Sequence, residues 1–184
     1  MDSDRPSLLK RIIAVDLAFL RYIATLSLPK AVSLPLVFLV RIGDGWIWFL
    51  IAFYLWISMP FVQLRSAVFH CLFALAISLA LYWPIKLLVR RSRPHESGLG
   101  VTPTVPPLDK YSFPSGHTMN NLAVALTVAI YLPHLFLPAL LLPIFLGVLR
   151  ILFGVHFLSD ITGGTVLGVA SYFLAKAFFP FLHL

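Results

Sequence analysis

Three short clusters of ionisable residues stand at the edges of apolar segments: Lys86 with Arg93-Pro94, Pro114-Ser115-Gly116-His117, and Arg150 with His156 and Asp160. An ionisable group at a membrane edge is expensive and is read as functional by default. The set offers three lasting cations, two histidines, one carboxylate and a glycine where a helix starts. Such groups suit holding a phosphate and breaking its ester, because phosphoryl transfer asks little beyond alignment and charge stabilisation.

Lys86 and Arg93 are seven residues apart. On a helix that is roughly 10 Å of rise and one shared face. Pro94 directs the chain out of the helix at about Arg93. One cation then lies on the helix wall and another at its mouth, a point charge and a fork that grip phosphate from two sides. Arg90 and Arg91 are less well placed and are read as facing lipid headgroups. Ser115 is expected to cap the helix that follows, and Gly116 to let the backbone approach a ligand. Free N–H groups at that helix start attract an anion, with His117 beside it. Arg150 precedes His156 by six residues, and Asp160 follows it by four. If that stretch is helical, the carboxylate shares a face with the imidazole. It can then hold one ring N–H while the other nitrogen attacks phosphorus. Each cluster alone also fits a plainer role: a basic helix flank, a simple N-cap, or a buried ion pair between spans. A metal site is the disfavoured rival, since Lys86, Arg93 and Arg150 would repel a cation and no Cys or HExxH pattern is present. No metal and no cofactor is expected. Cys71, His70, His134 and His183 are read as packing or interfacial residues.

The elements that must carry these groups are apolar throughout. The chain is 60% hydrophobic and 11% charged over 184 residues, with mean hydropathy +0.94. A soluble domain has roughly 25% charged residues. The reading is an all-α integral membrane bundle of five to six transmembrane helices. The formal charge of +7 is spread over segment ends instead of forming one stripe, which argues against nucleic acid and for membrane interfaces. One cysteine excludes an intrachain disulfide. No secretory signal is expected, because Asp16 and Arg21 interrupt the first apolar stretch.

Residues 8–28 read as an amphipathic helix in the interface, with a sixth span as the alternative. Residues 30–44 read as a linker whose apolar stretch is too short to span. Together 1–44 form an N-terminal interfacial segment, and 45–184 the transmembrane domain. Spans are expected near 45–63, 66–89, 117–132, 135–154 and 159–179 by the ~20-residue criterion. The polar connection 91–116, with five prolines, reads as a lid over the site. Gly164 and Gly168 have the spacing of close helix packing. Chain parity puts all three clusters on one membrane face.

Taken together, Lys86-x6-Arg93-Pro94, Pro114-Ser115-Gly116-His117 and Arg150-x5-His156-x3-Asp160 resemble the type 2 phosphatidic acid phosphatase (PAP2) superfamily in order and spacing, over about residues 45–180. One departure is Leu149, where the family usually has Ser. His95, after Arg93-Pro94, is an extra polar group. The resemblance implies a PAP2/haloperoxidase-like core and a metal-independent phosphatase with a phosphohistidine intermediate. By position, His156 is the nucleophile, Asp160 orients it, and His117 is the general acid. Lys86, Arg93, Arg150, Ser115 and Gly116 hold the phosphoryl oxygens. The implied substrate is a lipid phosphate in the bacterial plasma membrane: phosphatidate, phosphatidylglycerol phosphate, undecaprenyl diphosphate or a lipid A phosphate. Rival readings are a lipid-to-lipid phosphotransferase using the same site and a non-enzymatic transporter or scaffold. The resemblance favours an extracytoplasmic site. The positive-inside rule gives that face if residues 8–28 span, and the cytoplasmic face if they lie in the interface. Oligomeric state is not readable from the sequence.

Overall fold

The computed structural model describes residues 7–26, 29–98 and 101–182. His183, which entered the sequence reading, lies outside them. The described residues hold seven α-helices and no strand. Helix α1 (Leu8–Ala24) starts where the Ser7 side chain accepts from the Lys10 N–H, and buries only Asp16 and Leu20. Helix α2 (Lys30–Arg41) runs through a π-helical turn, Ile42–Trp46, into α3 (Ile47–Ser58). The break falls at Gly45, whose φ of 132° is open to glycine and strained for other residues. Then come α4 (Phe61–Val89), α5 (Gly116–Tyr131), α6 (Phe136–Leu152) and α7 (Leu158–Phe178).

Four helical stretches are long and apolar enough to cross a membrane: Lys30–Ser58, Phe61–Glu96, Pro133–Leu152 and Leu158–Leu182. Helix α5 is shorter, at 16 residues, and lies at the centre with eleven of them buried. It packs on α4, α6 and α7. The Ser78 hydroxyl donates to Asn120 at 2.6 Å, and Ser66 meets Tyr131 at 3.2 Å, so α4 runs antiparallel to α5. The Trp48 indole donates to Asn121 at 2.8 Å, and Leu55 packs with Val128 further along, so α3 runs parallel to it. Helix α7 fits because of glycine. A Cβ on Gly164 would stand 2.8 Å from the Ser115 carbonyl oxygen, and one on Gly168 2.7 Å from that of Met119. Outward faces expose Phe53, Trp56, Val62, Leu72, Leu137 and Phe173, as a lipid-facing surface requires.

Two boundaries differ from the sequence reading. Residues 30–44 are helix and turn, not a linker, because the apolar run Leu34–Val40 packs its Val40 against Leu146 and Leu149 of α6. Helix α4 stops at Val89, where the expected span ends, but four residues before Arg93, the exit expected from Pro94. Arg90 takes the left-handed conformation, φ 47°, and closes the helix.

The end of α4, the start of α5, the end of α6 and the start of α7 meet at one end of the bundle, as chain parity requires. Helix α1 packs on α6 and α7. Its midpoint, Asp16, accepts from the Ser159 N–H in the first turn of α7. Helix α1 therefore meets the bundle at the level of the helix ends.

Candidate active site

Lys86, near the end of α4, is 1% exposed. Its ammonium donates to the Tyr82 hydroxyl at 2.5 Å and to Asp109 Oδ2 at 2.7 Å. Arg93 lies beyond the helix in extended backbone, the conformation Pro94 favours for its predecessor. The two cations therefore do not share a helix face, contrary to the sequence reading. They converge all the same, through Asp109 in the 91–116 connection. Arg93 Nη2 donates to Asp109 Oδ1 at 2.5 Å and Nε to the Asp109 carbonyl at 2.9 Å. Its Nη1 donates to the Val155 carbonyl at 2.8 Å, one residue before His156. The connection closes over this end of the bundle. Val105 is 1% exposed, packed with Leu149, Phe153 and Val155, and Thr104 N–H donates to the Phe153 carbonyl.

Ser115 is buried at the start of α5, yet its side chain does not cap the helix as expected. Its hydroxyl accepts from Thr118 at 3.3 Å, and its N–H donates to the Asp160 carbonyl at 3.1 Å. That bond ties the second cluster to the third. Gly116 faces Tyr82, where a Cβ would come within 2.8 Å of the ring. His117 Nε2 lies 2.6 Å from Asp44 Oδ1 and 2.6 Å from Arg150 Nη2. With its proton on Nε2 the ring donates to Asp44; with it on Nδ1 the ring accepts from Arg150. Arg150 also donates to Asp44.

The Val155 and His156 N–H groups both turn back to the Arg150 carbonyl, which fixes the short connection between α6 and α7. His156 is 2% exposed. Its Nδ1 lies 3.4 Å from Asp160 Oδ2, within ion-pair reach but not aligned as a hydrogen bond. Asp160 is fully buried in the first turn of α7. Its Oδ2 accepts from the Phe157 N–H at 2.8 Å, a favourable place for negative charge. Burial pushes the His156 imidazole down to about 4, helped by Arg93 and Arg150 and opposed by Asp160. The ring is therefore neutral at pH 7, the form a nucleophile needs. Burial alone would raise Asp109, but the Lys86 and Tyr82 hydrogen bonds and the Lys86 and Arg93 charges outweigh it and hold the carboxyl low.

All the sequence-derived site residues thus lie together at one end of the bundle. Three carboxylates that the sequence reading had not assigned to the site join them. Asp109 sits on Lys86 and Arg93, Asp44 on His117 and Arg150, and Asp16 on Arg91. Arg91 also pairs with Asp160 at 2.9 Å and does not face headgroups. A signal was available: the chain has only seven acids, and a carboxylate inside apolar sequence needs a cation. Two carboxylates on these cations present the same kind of acceptor oxygens that a phosphate would. Among the described residues no group of three or more His, Cys, Asp or Glu is arranged to hold a metal ion.

The sequence profile of the PAP2 superfamily matches residues 67–183. Phosphatidylglycerophosphatase B of Bacillus subtilis is 36% identical over 92 residues, 42% of this chain and 45% of the relative. Decaprenylphosphoryl-5-phosphoribose phosphatase of Mycobacterium tuberculosis is 42% identical over 86 residues, 46% of this chain and 45% of the relative. The matched part thus spans about half the length of these relatives. Among solved structures, the transmembrane PAP2-type phosphatidylglycerolphosphate phosphatase of Bacillus subtilis superposes with TM-score 0.66 at 22% identity, covering 94% of both chains. Aquifex aeolicus LpxE superposes with TM-score 0.73 at 21% identity, covering 88% of this chain and 94% of that one. The fold is therefore that of membrane PAP2 phosphatases.

Proposed function

The chain belongs to the PAP2 superfamily, and from that premise we propose that it is a membrane lipid phosphatase working through a phosphohistidine. The observation that carries this reading is the gathering at one end of the bundle of Lys86 and Arg93 on Asp109 and of Arg150 and His117 on Asp44, with a neutral, buried His156 that faces Arg93 and Arg150 and is backed by Asp160. The phosphate of a lipid monoester or diphosphate replaces the carboxylates of Asp109 and Asp44 on these cations. His156 attacks phosphorus, the bond to the leaving oxygen breaks, and His117 gives that oxygen a proton. The imidazole turns cationic as the P–N bond forms, and Asp160 stabilises it. Water, deprotonated by His117, then breaks the P–N bond and releases inorganic phosphate. The charge on phosphorus is met by three side-chain cations, so the reaction needs no metal ion.

A lipid substrate is supported by a hollow of about 790 Å³ between α1, the end of α4 and the start of α7. Leu9, Ile12, Val15, Val89 and Leu158 line it, beside Arg91 and Ser159. On this reading the tails enter there, at the same end of the bundle as the cations. The names of the relatives favour a phosphomonoester on a glycerol- or ribose-bearing lipid. The basic residues Lys10, Arg11, Arg21, Arg41, Arg90 and Lys110 stand at the site end, against Arg65 and Lys176 at the other. With α1 at the level of the helix ends, that asymmetry favours a cytoplasmic site, a departure from the extracytoplasmic face expected by resemblance.

The test is phosphate release by the purified chain in detergent from phosphatidate, phosphatidylglycerol phosphate, undecaprenyl diphosphate and a lipid A phosphate. Release that survives EDTA and is blocked by vanadate is expected from at least one. Label passing to a second lipid in place of water would replace hydrolysis by phosphotransfer. Release equal to that of His156→Ala from every lipid would overturn the reading.

A further inference from the structure

Behind Asp160 lies a set of polar groups outside the three motifs. The Asp160 carboxylate turns Oδ2 to the Phe157 N–H and the His156 ring. Its other oxygen, Oδ1, accepts from Arg91 Nη1 at 2.9 Å. Both terminal nitrogens of that guanidinium are engaged. Its Nη1 also donates to the Ser159 hydroxyl at 2.5 Å and its Nη2 to Asp16 Oδ2 at 2.7 Å. Its plane lies over the Phe157 ring, 4.0 Å from the centroid. Asp16 itself is 2% exposed. It accepts from the Ser159 N–H at 2.9 Å and from the Ser159 hydroxyl at 2.5 Å.

We infer that Arg91 is a positioning residue, aiming the Asp160 carboxylate at His156, and that Asp16 of the N-terminal helix holds Arg91 in turn. This rests on the roles of His156 and Asp160 proposed above. Two arguments carry it. Asp160 has no freedom to turn toward or away from the ring unless Arg91 lets go of Oδ1. Second, one guanidinium between two buried carboxylates leaves a net negative charge behind the imidazole, which favours the ring when it becomes cationic on bonding to phosphorus. Asp16 supplies the carboxylate that keeps Arg91 from cancelling Asp160. Helix α1 lies outside the family-matched residues 67–183, yet it delivers a group to the catalytic pair.

A tie that merely fastened α1 to the bundle would affect stability alone. Positioning moves turnover and the ring. The groups facing His156 are Asp160 from α7, Arg93 from the segment after α4 and Arg150 from α6; Arg91 and Asp16 stand behind Asp160. Arg91→Gln frees the Asp160 charge to act on the ring, so the His156 titration followed by NMR should move up by about half a unit or more. Asp16→Asn removes the opposing carboxylate, so the titration should not rise. Both should lower kcat about tenfold or more with KM nearly unchanged, the mark of an interaction made in the transition state. Arg91→Lys keeps the charge and loses the fork; it should fold and still lose about fivefold or more in kcat. Folding of each variant is checked by size exclusion in the same detergent. Folded Arg91→Gln and Arg91→Lys with wild-type kcat and an unmoved His156 titration would overturn the inference. If Arg91→Gln does not fold, wild-type kcat in Arg91→Lys and Asp16→Asn does so. A wild-type protein that releases no phosphate from any lipid sinks the proposed function instead. The titration shift then tests the Arg91–Asp160–His156 arrangement by itself.

Discussion

An imidazole must be neutral to attack phosphorus, and burial makes His156 so. Its titration in the free protein should fall near 4 and not near 6.5, read from the imidazole NMR signal that His156→Ala deletes. The sign follows from the direction of the shift. The unfolded chain takes up this proton below about pH 6.5, while the fold resists it to about 4. The group's contribution to stability is therefore complete above 6.5 and is lost as pH falls toward 4. A midpoint at 6.5 would show a ring open to water. His156→Ala should lower turnover by at least the 10²–10⁴-fold of a general acid–base residue while the protein still elutes as a folded species; turnover within about tenfold of wild type would remove His156 from the mechanism. Asp109 makes a different prediction. It is ion-paired with Lys86 and Arg93 and would compete with an oxyanion for them, so Asp109→Asn should tighten vanadate binding about tenfold, or about 1.4 kcal/mol. Weaker vanadate binding would mean that Asp109 holds the cations in place instead of competing for them.

The decisive element is α5, a short helix enclosed by three others, which carries His117 at its start. Its register against α7 is set where backbone meets backbone at Gly164 and Gly168. Gly168→Ala puts a methyl 2.7 Å from the Met119 carbonyl oxygen, with no flexible side chain to move away. Overpacking of this kind costs about 1–3 kcal/mol. It should lower the thermal midpoint in detergent, and it should cost activity more than stability alone predicts. The reason is the Ser115 N–H, which donates to the Asp160 carbonyl and couples the α5 start to the His156–Asp160 pair. Wild-type stability and turnover in Gly168→Ala would show that the two helices slide freely.

At the scale of the molecule, the N-terminal third supplies three features that the family-matched part lacks: α1 across the helix ends, Asp16 behind Asp160, and Asp44 on His117 and Arg150. Helix α7 starts at the site end of the bundle and runs to the other. If the positive-inside asymmetry proposed above holds, the site faces the cytoplasm. A cysteine placed at Ser97, in a Cys71→Ala background, should resist a membrane-impermeant maleimide in intact cells and react once the membrane is opened. Labelling in intact cells would turn the molecule over and restore the extracytoplasmic face.

The membrane class, the helical bundle, the three clusters and their meeting on one face were legible from the sequence alone. Each rests on near-neighbour chemistry: apolar runs, proline and glycine positions, spacings within one or two turns, and chain parity. The close approach of α7 to α5 was legible in the same way, from Gly164 and Gly168. Pairings across long separations were not. Asp16 reaches Ser159, Asp44 reaches Arg150, and Arg91 reaches Asp160, partners no local pattern can join. The linker at 30–44 was misread because a short apolar run has the same composition whether it is loop or helix; packing on α6 decides which. The expected end of the second span at 89 matches α4, but the exit expected at Arg93 came too late, because Pro94 sets the latest point at which a helix can stop and not the point at which this one does. Only the folded chain determines which carboxylate neutralises which cation. That choice depends on which ends the bundle brings together, since a buried charge takes the partner the packing puts within reach.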